Sequence, residues 1–401
     1  MNIKRLGKAL AGAFLATTLL AGCGGDPKAE TPQQAAEWLK KDPQELVISD
    51  KLKAKYTEFK NDDLGKPVDS IMRNIQNQSL IAYKDGNLFV PSMPGTRRNL
   101  ENFGILKLSL KDGNVEVAGY KEGEEFDNAE ITGVTDKGIL LHLEDAHQSE
   151  TARYESYNFL MDKDMNIKEI GGNMAKDRFY VAPDGKHGLY QIHYTPDEKK
   201  MSTEESLKEL WNEIKSLGFN GKRSLTGFWA TEIDANGQLP TLKHDSYQPL
   251  VYGSHIVSTT VAPENESFYF LGRKELDENK QKEEMPLFAE YKYDGTQVRE
   301  LKLPEEFKNA RYPQVVPVYQ YLLVRSLKTG ICVYDKESGE LLGKIEKLGN
   351  VELKLDKAND VSVFPIGGNA FGVCLATDEI NKGNWTFGCK IFVVELPAVA
   401  K

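Results

Sequence analysis

From Ser79 onward the chain is cut into short β-branched and aromatic runs by turns rich in Asp, Asn and Gly, and the pattern recurs to the end. No other feature constrains the fold as much, because such runs joined by turns that tolerate φ > 0 read as antiparallel hairpins. Phe103–Leu110 and Val115–Tyr120 flank Lys111-Asp112-Gly113-Asn114; Leu287–Tyr293 and Val298–Leu303 flank Asp294-Gly295-Thr296; Ile331–Tyr334 and Glu340–Ile345 flank Asp335–Gly339. Phe228–Ile233 leads into Asp234-Ala235-Asn236-Gly237, and Tyr157–Met161 leads into Asp162-Lys163-Asp164. A second strand pair precedes several of these: Arg178–Val181 with His187–His193, Val257–Val261 with Ser267–Leu271, Val316–Val318 with Tyr321–Ser326, and Val361–Pro365 with Ala370–Ala376.

Four antiparallel strands in roughly 40–55 residues is the period of a propeller blade. Six such units fall at about 78–120, 128–170, 176–245, 250–303, 312–347 and 358–397. The expectation is an all-β chain folded as a β-propeller of six blades, with seven as the alternative. The last unit is one strand short, so a strand near Glu45–Ser49 or Ile71–Ile75 is expected to close the ring and remove an open edge. Two helices are expected. Thr31 caps a short one with Pro32 at its first position, and Ala35, Ala36, Trp38 and Leu39 follow. In the third unit Ser202 and Glu205 form a capping box. Leu207, Leu210, Trp211, Ile214 and Leu217 then recur at helical spacing up to Gly218, an amphipathic insert near 203–217.

The N-terminus carries an address. Lys4, Arg5 and Lys8 precede an uncharged, mostly apolar stretch, Ala9 to Leu20. That stretch is shorter than the roughly 20 residues a membrane-spanning helix needs, and it fits the apolar segment of a secretory signal. It ends in Leu20-Ala21-Gly22-Cys23, which resembles the lipobox of bacterial lipoproteins. The resemblance implies cleavage before Cys23 and lipidation of its thiol, with two or three acyl chains, enough for stable anchoring. The division expected is a signal peptide at 1–22, a lipidated tether at 23–30, an N-terminal helix and ring-closing segment at 31–77, and the propeller at 78–397. Gly24 after the cysteine implies the outer membrane of a diderm host; in a monoderm host the site is the outer face of the cytoplasmic membrane.

Removing a signal peptide with three basic residues and no acidic one takes the formal charge from −9 to −12. An acidic chain of this kind excludes nucleic acid as a partner, since phosphate recognition needs clustered Lys and Arg. With Cys23 assigned to lipid, Cys332, Cys374 and Cys389 remain. Cys374 and Cys389 fall on consecutive strands of the last unit, around a turn at Asp378–Gly383, and are the candidate disulfide; two buried thiols are the alternative reading.

Ala182-Pro183-Asp184-Gly185-Lys186 is similar to the turn of Tol-system-like and WD-type propellers, and Ala262-Pro263-Glu264-Asn265 to a degraded copy of it. Tyr334–Leu342 resembles the quinoprotein-type blade turn, also found in the propeller lipoprotein of the outer-membrane barrel assembly machinery. Gly343-Lys344-Ile345 stands where that family has Trp in most blades. These resemblances imply a fold and leave function open.

No catalytic pattern stands out. His142, His147, His187, His193, His244 and His255 show no metal-ligand spacing, and no G-x-S-x-G elbow occurs. His142 and His193 share second-strand positions and could face one region. Ser254 and His255 point to opposite faces of a strand and form no dyad. The acidic runs Glu122–Asp127 and Asp277–Glu284 read as solvated loops, and Gly367-Gly368-Asn369 as a hairpin turn. No metal and no cofactor are expected. The expected function is a membrane-anchored, non-enzymatic binding or scaffold module acting through propeller loops on a protein, peptide or envelope polymer. Leu207, Trp211 and Ile214, and the loops around 94–102 and 272–286, are the candidate contacts. Two alternatives stand beside it: a hydrolase or lactonase with a channel metal, marked by converging acidic or histidine ligands, and an envelope assembly factor.

Overall fold

The computed structural model describes residues 42–59, 81–92, 104–109, 115–118, 128–145, 155–170, 178–194, 225–234, 251–254, 259–272, 285–308, 310, 313–326, 329–353, 361–381 and 384–398. The helix at 31–39 and the insert at 203–217 lie outside them. Strands dominate, and a single turn of 3-10 helix, Glu305–Phe307, interrupts them among the described residues.

The described residues open with β1 (Gln44–Ser49) and β2 (Leu52–Phe59). The first sheet follows as β3 (Ala82–Lys84), β4 (Asn87–Ser92), β5 (Gly104–Ser109) and β6 (Val115–Ala118), and the second as β7 (Asn128–Val134), β8 (Ile139–Asp145), β9 (Glu155–Met161) and β10 (Ile167–Glu169). The third holds β11 (Arg178–Val181), β12 (His187–Tyr194), β13 (Leu225–Glu232) and β14 (Val251–Ser254), and the fourth β15 (Thr260–Pro263), β16 (Ser267–Gly272), β17 (Leu287–Lys292) and β18 (Gln297–Glu300). The fifth is β19 (Gln314–Val318), β20 (Tyr321–Arg325), β21 (Ile331–Asp335) and β22 (Leu341–Ile345). A small hairpin, β23 (Lys347–Leu348) with β24 (Val351–Glu352), leads to β25 (Val361–Gly367), β26 (Ala370–Asn381) and β27 (Asn384–Glu395). Within each of the five sheets consecutive strands pair antiparallel.

Five sheets therefore have the four-stranded blade form, where six or seven were expected. Beside the two-stranded β23–β24 sheet, the remaining sheet is five-stranded, in the order β1-β2-β27-β26-β25, and joins the first and last described strands. Its fourth strand is β2, paired with β27 from Lys55↔Glu395 to Phe59↔Ile391. Of the two candidate closing strands, Glu45–Ser49 is present, but as the fifth strand, outside β2, and Ile71–Ile75 lies outside the described residues. The boundary between the third and fourth units also moves: Val251–Ser254 pairs with β13 and completes the third sheet.

The first strands of successive sheets touch in a closed cycle, β3 to β7, β11, β15, β19, β25 and back to β3. This is a propeller-like arrangement, and the core lies between neighbouring sheets. Leu140, Phe179, Val181 and Tyr190 fill one junction; Leu189, Phe228, Val261, Phe268 and Phe270 the next; Tyr269, Phe288, Leu322, Cys332 and Tyr334 a third. The alternation of the strands sends one set of side chains to each neighbour.

First strands hydrogen-bond to a partner on one side only, so alternate residues aim backbone groups at the ring's centre. Proline, which has no N–H, is tolerated there, and Pro263, Pro317 and Pro365 all sit in first strands.

Candidate functional site

The centre of the ring is where a propeller enzyme gathers ligands, and its lining can be read from the six first strands. Among Asp, Glu and His they carry one residue, Glu130 on β7. Arg178, at the start of β11, takes both its oxygens: Nη2 lies 2.9 Å from Oε1 and Nε 2.7 Å from Oε2. Both side chains are about one-fifth exposed, at 24% and 19%, so the carboxylate is neutralised at a half-buried site.

A polar row continues outward from this pair across the second sheet. Glu130 stands opposite His142 on β8, and His142 opposite Asn158 on β9. His142 and Asn158 are both buried, with Nδ1 3.1 Å from Oδ1. In the third sheet Arg178 stands opposite Gln191, whose Oε1 accepts the Tyr180 hydroxyl at 2.8 Å. A buried amide held by a hydroxyl, and an imidazole held by an amide, are satisfied polar groups. Chemically the row orients and neutralises; it presents no poised nucleophile.

A second titratable cluster sits at the turn end of the third and fourth sheets. Asp184, in the Ala-Pro-Asp-Gly turn, accepts the amides of Lys186 at 2.8 Å and His187 at 3.0 Å, and its Oδ2 lies 2.5 Å from His187 Nδ1. His187 Nε2 is 3.8 Å from Glu232 Oε1, across the β12–β13 pair. Its ring stacks on Tyr293 of the fourth sheet, centroids 5.4 Å apart and planes at 22°, and the Tyr293 hydroxyl donates to Glu264 O at 2.6 Å. Burial pushes the Asp184 carboxyl up, but the two amides and the His187 ring outweigh it, so it sits below its ordinary value. Burial, with Asp184 and Glu264 nearby, pushes the Tyr293 hydroxyl far up.

Turns at this end also grip one another. Lys336 Nζ meets Glu264 Oε2 at 2.9 Å, and Arg299 joins Glu290 at 2.7 Å and the carbonyls of Lys336 and Glu337 at 2.5 Å. Gln320 N–H donates to Asn369 Oδ1 at 3.3 Å while Asn369 Nδ2 donates to Gln320 Oε1 at 2.9 Å. The Gly367-Gly368-Asn369 segment is the hairpin turn expected.

Cys23, Leu207, Trp211 and Ile214 lie outside the described residues, as do 94–102, 273–284, Glu122–Asp127, His147, His244 and His255. Of the two candidate disulfide residues, Cys374 is buried on β26 opposite Ile391, and Cys389 on β27 is opposite Ala376. The side chain of Cys389 lies outside those described. Cys332 is wholly buried on β21; burial, with Lys344 opposing and Glu306 and Glu346 adding, pushes its thiol up to about 12. His193 lies on β12 opposite Thr226. Trp229 is half-buried and stacks on Tyr190, ring centroids 6.4 Å apart. Sequence reading missed Glu130, Arg178 and Gln191, because a lone charge inside a strand carries no signal until its neighbours in space are known.

No protein-family model matches the chain, and no curated protein matches it. Solved structures similar to it include a DUF4623 family protein from Bacteroides eggerthii, 14% identical with a TM-score of 0.45, covering 89% of this chain and 83% of that one. An oligogalacturonate lyase from Vibrio parahaemolyticus is 10% identical with a TM-score of 0.38, covering 89% and 97%. The computationally designed Ika8 protein is 10% identical with a TM-score of 0.37, covering 77% and 86%. Likenesses this distant carry no functional argument.

Among the described residues no helix is long and apolar enough to cross a membrane, and no group of three or more His, Cys, Asp or Glu is placed to hold a metal.

Proposed function

We propose that this protein is an exported lipoprotein, anchored through Cys23, whose propeller acts as a non-enzymatic binding or scaffold module for a protein, peptide or envelope polymer. The five-stranded sheet counts, in this reading, as a sixth blade, which the closed cycle of first-strand contacts supports. The observation that carries the functional part is the lining of the ring: six first strands supply a single carboxylate, and Arg178 already neutralises it. A hydrolase with a channel metal draws on several converging anionic or imidazole groups, which these strands do not offer. Recognition then falls to the rims, where rigid strands hold variable loops. The lipobox Leu20-Ala21-Gly22-Cys23 supports the anchor, and Gly24 the outer membrane of a diderm host.

Two measurements test this. Fatty-acid labelling of the wild-type chain, lost in Cys23→Ser, is expected for the anchor; labelling that survives the substitution sinks it. In-cell photocrosslinking from positions in 94–102, 203–217 and 272–286 is expected to give a discrete adduct with an envelope component. A stoichiometric metal in the purified chain together with ester or lactone hydrolysis would instead favour the enzyme. General loss of outer-membrane proteins on deletion would favour envelope assembly.

A further inference from the structure

The N- and C-terminal strands meet within the five-stranded sheet, where β2 pairs with β27 through noncovalent contacts alone, and this sheet packs against the fifth sheet. Three observations converge on it. First, β1 belongs to the five-stranded sheet yet packs on β22, the outer strand of the fifth sheet. Leu46 and Ile48 turn inward toward it, while Val47 between them is 60% exposed. Gly343 on β22 makes this approach possible: a Cβ there would lie 2.8 Å from Ile48 Cγ2 and 3.0 Å from its carbonyl oxygen. Second, the traffic runs the other way as well. The β23–β24 hairpin, which leaves the fifth sheet after β22, lays Leu348 into the same core, and a Cβ built on Gly349 at its tip would lie 3.8 Å from the Phe392 ring and from the Tyr56 hydroxyl. Third, one apolar cluster spans this junction. It unites Leu52, Ala54 and Tyr56 from the N-terminus, Phe392, Val394 and Leu396 from the C-terminus, and Val316, Leu323 and Val333 from the fifth sheet.

We propose that the ring is closed by a reciprocal clasp, in which each of these two sheets lays an outer element over the other, so that the junction between the chain ends is among the last parts of the molecule to open. A ring whose ends were joined only by β2 on β27 would be expected to open there first, because separating noncovalent ends strains no connecting chain. Crossing elements change that order: parting β2 from β27 requires stripping β1 from β22 and Leu348 from the Tyr56–Phe392 layer together, and elements that open only with global unfolding show the strongest amide protection.

Native-state hydrogen exchange on the chain lacking residues 1–23 tests the order. Amides of β2 and β27 between Lys55 and Phe59 and between Ile391 and Glu395 are expected to exchange as slowly as those of β20 and β21, through global unfolding alone. Exchange at least about tenfold faster at β2 and β27 than at β20 and β21, in the unsubstituted protein, overturns the clasp. In a folded Gly343→Val variant, β1 is expected to lose protection and become cleavable between residues 43 and 51. Unchanged protection and protease resistance would show that β1 does not depend on β22. Leu348→Ala probes the other arm without crowding, and is expected to lower protection at Tyr56 and Phe392; no change at either residue counts against the reciprocal half of the proposal.

Discussion

The side-chain amide of Gln314 pairs with both backbone groups of Val363: its Nε2 donates to the Val363 carbonyl at 2.8 Å, and the Val363 N–H donates to its Oε1 at 3.2 Å. Gln314 sits on β19 and Val363 on β25, so one side chain does for two first strands what a further strand would do. Val363 directs its N–H and C=O away from β26; two residues on, at the same parity, Pro365 has no N–H to satisfy. Gln314→Ala leaves a half-buried donor and acceptor without these bonds, at a cost of about 1–2 kcal/mol. Gln314→Glu keeps the shape but puts an acceptor against the Val363 carbonyl, and is expected to be the worse of the two. Chemical denaturation with the slope held fixed measures both.

Arg178 and Glu130 form a two-point ion pair between neighbouring first strands at about one-fifth exposure. The charge-assisted hydrogen bond from Nη2 to Oε1 makes the interaction directional, and removing one partner leaves the other charge half-buried. Arg178→Ala and Glu130→Ala are each expected to destabilise by about 1–3 kcal/mol, and the double variant by less than their sum. An additive double-mutant cycle would show that the pair is not coupled.

Asp184 gives stability a pH dependence with a definite sign. Its carboxyl is pushed up by burial, but pulled further down by the His187 and Lys186 amides and the His187 ring, so its folded value lies below the unfolded one. A depressed carboxylate contributes stability that is fully present above its unfolded value and is lost as pH falls through its folded value. Wild type is therefore expected to exceed Asp184→Asn in melting temperature near neutrality, with the gap closing in acid below the ordinary carboxylate range. Parallel curves down to the most acidic folded condition would contradict this.

How far the fold was legible depended on which forces decide each element. The Arg178–Val181 strand and the Ile331 and Leu287 hairpins follow from local alternation and turn chemistry, and their bounds moved by a residue or two. The closing strand was misplaced because Leu52–Phe59, with Lys53, Lys55 and Glu58 among its apolar residues, carries the half-exposed pattern of an outer strand and gives no local sign of its partner β27. Val251–Ser254 lies far along the chain from β13, so its allegiance was set by packing. The same holds for the site: Asp184 was visible in its turn motif, whereas Arg178 and Glu130, 48 residues apart in sequence, meet only once two sheets are side by side.

Gly372 is required by the ring above it. It stands opposite Phe364 across the β25–β26 pair, and a Cβ would lie 2.1 Å from Phe364 Cζ and 2.2 Å from Cε2. Phe364 is buried, so it has nowhere to retreat without disturbing the junction. The third sheet repeats the device, with Phe179 over Gly188. Gly372→Ala is expected to cost about 1–3 kcal/mol by overpacking, and Gly372→Val more. The double variant Gly372→Ala/Phe364→Leu is expected to recover part of the loss, and thermal melts of the three proteins provide the comparison.

Cys332 offers a reporter of opening in the fifth sheet. Its thiol is wholly buried on β21 opposite Lys344, and burial holds it up to about 12, so the reactive thiolate is scarce and enclosed in the folded chain. The nearby Lys344 ammonium pulls the other way but is engaged by Glu306 and Glu346. Since the thiolate is the nucleophile, alkylation of Cys332 at mildly alkaline pH is expected to be slow in native protein and fast in denaturant. Its rate should track the unfolded population across a denaturant series. Lys344→Met removes the one favourable charge and is expected to leave native labelling slow; rapid native labelling in either protein would mean that β21 opens locally, ahead of the rest of its sheet.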